Sequence, residues 1–487
     1  MRYATLLPLV AVLATAIVIP NDEMAQKLTL ETEKPIVKIT KPVEETAMDW
    51  WQALRSTADQ TIDTITQGTH KLLNELSENN PLGSLLDTND PGSILNAVKP
   101  ENFYVGNPGY NLSTNLTIYE AIQECKYTQK FAALVKDFPD LVNMLNSTDA
   151  NVTAFIPVDR AFEKIPKDHK QPPKEFLEKI IQYHILPGNF SAGRLFHSHT
   201  VPTTLKDDAL DGRPQRLRVS ISFFRLRLNF YSRVLVGDMN TKNGVIHAVD
   251  SILVPPPPAR RIISLFPTMF STLELAAEKT GLLPHRDGDG DGGHLGEGFT
   301  LNDGSDGHNL TGLTVFAPTN FAFAKLGPAV NAFLFNTEKG LNCLRALLKY
   351  HIVANQTLYS DEFYDERKKP GDGAGSEDDR NGHFHVDLPT LLGNESLSID
   401  IARYYRFVNI RVNGYTNVAI EDGVAQDGVV QVVNSVLVPP HSPKRGDAWI
   451  GAESEIPVEE LVERLEPYLG DEKEEEKSGE DGVWGEL

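Results

Sequence analysis

The chain has 487 residues, 40% of them hydrophobic, only two cysteines and a formal net charge of −21. That length carries two to four domains with real cores, and the acidic balance excludes a nucleic-acid binder, whose target phosphates need a basic surface. Two cysteines, Cys125 and Cys343, are too few for a disulfide-stapled scaffold, so each domain must stand on its own packing.

Residues 1–20 read as a secretory signal peptide: Arg2 supplies the positive end, Ala4 to Val18 the apolar run, and Ala14 to Ala16 small residues for cleavage. The run continues to Pro20, which leaves a start-of-chain anchor as the alternative. Eight Asn-X-Ser/Thr sequons agree with secretory entry: Asn111, Asn115, Asn146, Asn151, Asn189, Asn309, Asn355 and Asn394. Secretion and vacuolar delivery share this route, so both destinations stay open.

Residues 21–111 form a leader. Trp50, Trp51, Leu54, Ile62, Ile65, Leu72, Leu73 and Leu76 fall near helical spacing, which predicts one or two amphipathic helices over about 47–77. Their stripe could dock on a domain, on a partner or, peripherally, on a membrane.

Beyond the leader the chain repeats itself. TAFIPVDRAF at 153–162 returns as TVFAPTNFAF at 314–323, and Tyr183-His184 as Tyr350-His351. NGVIHAVDSILVPP at 243–256 returns as DGVVQVVNSVLVPP at 427–440. Three blocks in one order, twice, predict two copies of a domain, over 112–256 and 259–440. In each copy helical spacing precedes strand signals, for example Leu116 to Leu145 before Arg216 to Ile221, Arg225 to Phe230 and Val245 to Val254. The fold class expected is therefore α+β. Asp159 and Asn320 are placed to cap the short helices that follow them. Two Gly- and charge-rich insertions in the second copy, 287–308 and 366–385, read as surface loops. Residues 441–487 form an acidic tail, in which Val458, Leu461, Val462 and Leu465 make one helical stripe and everything from Asp471 onward reads as disordered.

These blocks closely resemble the fasciclin-type domain family, over about two thirds of the chain. The resemblance implies tandem domains in which a β-sheet wedge packs against helices, used extracellularly or in a lumen for adhesion and binding, without catalysis as a class. With its leader and acidic tail the whole chain is similar to fungal fasciclin-like proteins, some of them vacuolar.

The candidate site residues each carry a bland reading beside the functional one. Tyr183, His184, Tyr350 and His351 match the family's tyrosine-histidine motif, tied to adhesion, yet buried rings closing a helix would read the same way. His247 invites a metal or proton-transfer role, but its counterpart is Gln431, and no catalytic set recurs in both copies. Asp287, Asp289, Asp291 and Gly292 imitate the start of a calcium loop whose twelfth position is Gly298, so no metal is assigned. Arg213 to Arg233 holds six arginines and no acid. Arg216 with Arg218, and Arg225 with Arg227, share strand faces that could bind sulfated or phosphorylated glycans, or else be solvated or dock on the acidic tail. Arg445-Gly446-Asp447 offers an integrin-type triplet or, with Lys444, a dibasic cleavage site. The sequence thus points to a non-enzymatic adhesion or interaction protein without cofactors, binding lumenal or extracellular proteins or glycans. The alternative is a vacuolar factor in membrane trafficking or fusion.

Overall fold

The computed structural model describes residues 114–165, 172–222, 225–282, 312–361, 382–393, 395–404, 406–440 and 456–469. The signal segment, the leader helices, the first insertion, residues 366–381 of the second, the Arg445-Gly446-Asp447 triplet and the last residues of the tail lie outside the described residues; residues 382–385, read from the sequence as loop, are strand.

The first repeat opens with three short helices, α1 (Ile118–Glu124), α2 (Gln129–Lys136) and α3 (Pro139–Asn146), where the sequence suggested one long helical stretch. The turn at Cys125–Thr128 and the proline at the start of α3 divide it. Thr117 closes the front of α1 in a capping box, accepting from Glu120 N–H while the Glu120 carboxylate accepts from Thr117 N–H at 2.8 Å. Strand β1 (Val152–Pro157) follows, then α4 (Lys174–Tyr183), β2 (Ile185–Pro187), α5 (Ala192–Phe196) and five more strands. These are β3 (Thr200–Lys206), β4 (Pro214–Ser222), β5 (Arg225–Leu228), β6 (Ser232–Thr241) and β7 (Gly244–Val249).

The second repeat runs α6 (Ala259–Leu265), α7 (Pro267–Lys279), β8 (Leu313–Pro318), α8 (Asn320–Lys325), α9 (Pro328–Asn336), α10 (Glu338–Tyr350) and β9 (Ile352–Val353). It ends in β10 (Gly382–Pro389), β11 (Ser396–Tyr404), β12 (Phe407–Val412), β13 (Thr416–Ala425) and β14 (Gly428–Val433). The two seven-stranded sheets have the same order: β2-β1-β7-β6-β5-β4-β3 and, read from the matching edge, β9-β8-β14-β13-β12-β11-β10. Helices and strands make up both repeats, an α+β fold.

The repeated sequence blocks are the paired strands at the heart of each sheet. β1 lies parallel to β7, and β8 parallel to β14, all other pairings being antiparallel. β1, β8 and β14 are buried at every residue, which is why their sequences are nearly continuous apolar runs, broken by Thr153, Thr314 and Gln431, whose polar atoms are hydrogen-bonded. The glycine that opens the second block has a steric cause. A Cβ at Gly244 would lie 1.8 Å from the Val152 carbonyl oxygen, and one at Gly428 would lie 1.9 Å from that of Leu313.

The capping reading of Asp159 and Asn320 is corrected. Their side chains reach across to another helix: Asp159 Oδ1 accepts from Lys130 N–H, in the first turn of α2, and Asn320 Oδ1 from Thr272 N–H, in the second turn of α7. The residue that caps α8 is Thr319, whose hydroxyl accepts from Ala322 N–H. The helical stripe of the tail forms. Its helix α11 (Val458–Leu465) folds back, with Leu461 and Leu465 fully buried in the core of the second repeat. Cys125 and Cys343 are free thiols.

Candidate functional site

Both tyrosine-histidine pairs stand at the end of the helix that leads into the short edge strand, α4 into β2 and α10 into β9. His184 and His351 are buried, and each spends both ring nitrogens on backbone. His184 Nε2 accepts from Leu253 N–H at 2.9 Å, so Nδ1 carries the proton and donates to the Ile180 carbonyl at 2.7 Å. His351 does the same with Leu437 N–H and the Leu347 carbonyl. Burial pushes both imidazoles down to about 4. They are neutral hydrogen-bond bridges between the helix end and the chain that leaves the last strand.

Tyr183 and Tyr350 are fully buried too. Tyr183 Oη donates to the Arg216 carbonyl and accepts from Asn229 Nδ2 at 2.8 Å. Tyr350 Oη accepts from Asn413 Nδ2 at 2.9 Å. Those asparagines belong to a repeated motif that the sequence reading missed, Asn229-Phe230-Tyr231 and Asn413-Gly414-Tyr415. Both asparagines have positive φ, 45° and 52°, and each Oδ1 also accepts from the neighbouring strand, from Arg218 N–H and Ser398 N–H. Two residues on, the hydroxyls of Tyr231 and Tyr415 accept from Val254 N–H and Val438 N–H. The signal was an Asn-x-Tyr recurring at one station of both copies, in a stretch too divergent to stand out beside the longer blocks.

His247 lies on β7, buried, its Nε2 2.8 Å from the Phe190 carbonyl and its Nδ1 accepting from Asp238 N–H. Among the described residues no group of three or more His, Cys, Asp or Glu side chains is placed to hold a metal ion.

The reading of Arg216 and Arg218 as an open strand face is corrected: both turn into the junction between the repeats. Asp361, from the second repeat, accepts from Thr200 N–H at 2.8 Å and from Thr200 Oγ1 at 2.6 Å. Arg216 pairs with the same carboxylate at 3.4 Å and lies over the Tyr359 ring. Burial opposes ionisation of Asp361, but Arg216 and the Thr200 bonds outweigh it and hold the carboxyl below the usual range. Arg218 is buried, with Nε donating to the Glu421 carbonyl at 2.9 Å and the guanidinium over Phe230. From the other side, Arg406 donates to the Phe196 carbonyl, and its own carbonyl lies 2.6 Å from His199 Nε2. Gln215 Nε2 donates to the Ala425 carbonyl, and the backbones meet at Gly312 N–H to Ala209 O and Gln426 N–H to Pro257 O. Burial raises the Glu421 carboxyl to about 7 in this setting. Arg227 donates to the Phe230 carbonyl, and Arg225 lies on β5 opposite Ser222.

Of the sequons, Asn115, Asn146, Asn151, Asn189 and Asn355 are exposed, whereas Asn111, Asn309 and Asn394 lie outside the described residues. Among the described residues no helix is long and apolar enough to cross a membrane.

The fasciclin domain model matches residues 126–255 and 269–439, more than half of the chain. Aurofusarin biosynthesis cluster protein S of Gibberella zeae is 30% identical over 387 residues, 74% of this chain and 88% of that protein. Stabilin-2 of Rattus norvegicus is 26% identical over 210 residues, 43% of this chain but only 14% of the relative. A solved FAS1 domain pair from the insect cell adhesion molecule Fasciclin I is 16% identical, covering 64% of this chain and 96% of its own, with a TM-score of 0.29. The chain belongs to the fasciclin domain family, with two such domains in tandem.

Proposed function

We propose that this chain is a non-enzymatic interaction protein of the secretory pathway, presenting two fasciclin domains as one rigid platform for protein or glycan partners. The observation that carries the reading is the junction. Asp361, Arg216, Arg218, His199 and Arg406 lock the repeats together through bonds that a flexible pair of beads would lack. A fixed pair presents its outer surfaces in one relative orientation, which lowers the ordering cost of binding across both. The side chains that a catalytic reading would recruit first, His184, His247 and His351, are committed to backbone groups inside the fold. The exposed sequons support glycosylation in a lumen. The Gibberella zeae relative, named for a biosynthetic cluster, favours a narrower version, in which the partners are proteins of one biosynthetic route.

The test is to express the tagged full chain in its own host, locate it, and identify cross-linked neighbours with and without Asp361→Ala. Recovery from the medium or cell surface with a defined set of neighbours, thinned by the junction variant, is the expected result. Retention on a vacuolar membrane would replace this reading with the trafficking alternative. Turnover of a small molecule by the purified chain would overturn the non-enzymatic reading.

A further inference from the structure

The two repeats differ in what covers the back half of one strand. β6 and β13 correspond residue for residue: Asn229 and Asn413 stand just ahead of them, and Asp238 and Asp422 hold the same positive φ at one bulge. In both, pairing with the preceding strand stops early, at Arg233 and at Asn417. Beyond that point one backbone edge has no strand partner among the described residues.

In the second repeat, the first repeat fills this place. Arg218 Nε donates to the Glu421 carbonyl and Gln215 Nε2 to the Ala425 carbonyl, both at 2.9 Å. Ile420 is only 4% exposed, and Asp422, Val424 and Ala425 are buried with it. On β6 the same stations are open. Val236, at the station of Ile420, is 37% exposed and Leu235 beside it 39%. Asp238 and Asn240 are exposed as well.

The path of the chain indicates the occupant. Gln426 N–H donates to the Pro257 carbonyl, where the first repeat hands over to the second. Lys242 N–H donates to the Leu116 carbonyl at the matching place. The chain before Leu116 therefore stands to the first repeat as the first repeat stands to the second. Thr114 N–H also donates to the Asn240 carbonyl at 2.9 Å. These two bonds join rising numbers on both sides, so the entering chain runs parallel to β6 and comes from the direction of Asp238 and Val236.

We propose that residues 103–113 of the leader dock along the open half of β6, with Tyr110 and Leu112 against Leu235 and Val236. An extended chain advances about 3.3 Å per residue, so the four residues before Thr114, Tyr110 to Ser113, match the four from Val236 to Met239. Alternation then sets Tyr110 and Leu112 on one side and the sequon residue Asn111 on the other, away from the contact. Backbone bonds to an unpaired edge and cover for two apolar side chains are what strand addition supplies. This goes beyond the interaction platform and does not depend on it.

The test uses the full chain carrying Cys125→Ser, which removes its half-buried thiol. Tyr110→Cys is combined with Val236→Cys or, as a control, with Phe321→Cys, an exposed site on the second repeat. Under mild oxidation the first pair is expected to close an intramolecular disulfide at least tenfold faster than the control. Chymotrypsin gives a second reading, because it cuts after Tyr104 and Tyr110. Leu235→Asp with Val236→Asp is expected to speed those cuts at least fivefold, folding being checked by thermal melting. Equal closure rates, a disulfide formed only between two copies, or unchanged cutting in the folded double variant would each overturn the proposal.

Discussion

His247 and Gln431 occupy one station of the two repeats and make the same two hydrogen bonds with different chemistry. His247 lies 2.8 Å from the Phe190 carbonyl and accepts from Asp238 N–H; Gln431 donates to the Leu358 carbonyl at 2.8 Å and accepts from Asp422 N–H at 3.1 Å. The accepting nitrogen of one and the amide oxygen of the other both satisfy a backbone N–H at a β-bulge where an aspartate has positive φ, 56° at Asp238 and 58° at Asp422. A neutral imidazole and a carboxamide are therefore interchangeable here. His247→Gln is expected to cost less than about 1 kcal/mol, whereas His247→Ala, which orphans a buried donor and acceptor, should cost about 2–4 kcal/mol. Urea unfolding of both variants at pH 7.5 checks this, and equal losses would count against the shared role.

Asp427 holds the place of Asn243 but is less well served. Its Oδ1 accepts from Ala259 N–H at 2.8 Å, while its Oδ2 is buried with no hydrogen-bond partner. Burial pushes the carboxyl up to about 6. A carboxyl raised in the native state contributes fully below its unfolded value of about 3.9, and that contribution is lost as the pH rises to about 6. Asp427→Asn removes the charge and keeps the accepting oxygen. The variant should be more stable than the wild type by about 1–2 kcal/mol at pH 8 and indistinguishable from it below pH 4. Thermal melts across that range supply the check.

The two motif histidines set the opposite trend. Each has its native value near 4 against about 6.5 in the unfolded chain. Their stabilisation is complete above pH 6.5 and falls as the pH drops toward 4, by up to about 3 kcal/mol each, because only the unfolded chain takes up the proton. Acid unfolding should therefore begin between pH 6 and 5, and NMR of the folded chain should show both imidazoles neutral at pH 5.5. A protonated His184 or His351 at that pH in the native state would contradict the assigned bonds.

Much of the fold was legible because the repeated letters are the buried centre of each sheet. NG at 243 and DG at 427 recur because a Cβ there would strike the parallel strand. The Tyr-His pairs recur because ring nitrogens and hydroxyls bridge helix end, strand and chain exit. What stayed hidden depends on distant partners. Asp159 looked like a local cap because sequence gives separations along the chain, and its acceptor serves Lys130, 29 residues earlier. The arginines of β4 alternate as a solvated face would, and only the second repeat's Asp361 and Glu421 show where they point.

The junction makes the last prediction. Asp361 gathers Thr200 and Arg216 on one carboxylate, and His199 N–H donates to it as well, at 3.2 Å. Removing the carboxylate takes a shared acceptor from Thr200, from His199 N–H and from the Arg216 guanidinium, a change that usually costs more than the pair itself contributes. Asp361→Ala should destabilise the chain by about 2–4 kcal/mol and split one thermal transition into two, as the repeats lose their coupling. Because the Asp361 carboxyl lies below the ordinary carboxylate range, its contribution is present above about pH 3.9 and is lost only as the pH falls through its lower native value. Small-angle scattering should report a larger radius of gyration for the variant at pH 7, and an unchanged value at equal stability would refute the coupling. Asp361→Asn separates charge from shape: it keeps an accepting oxygen for Thr200, so any opening it produces measures the ion pair with Arg216.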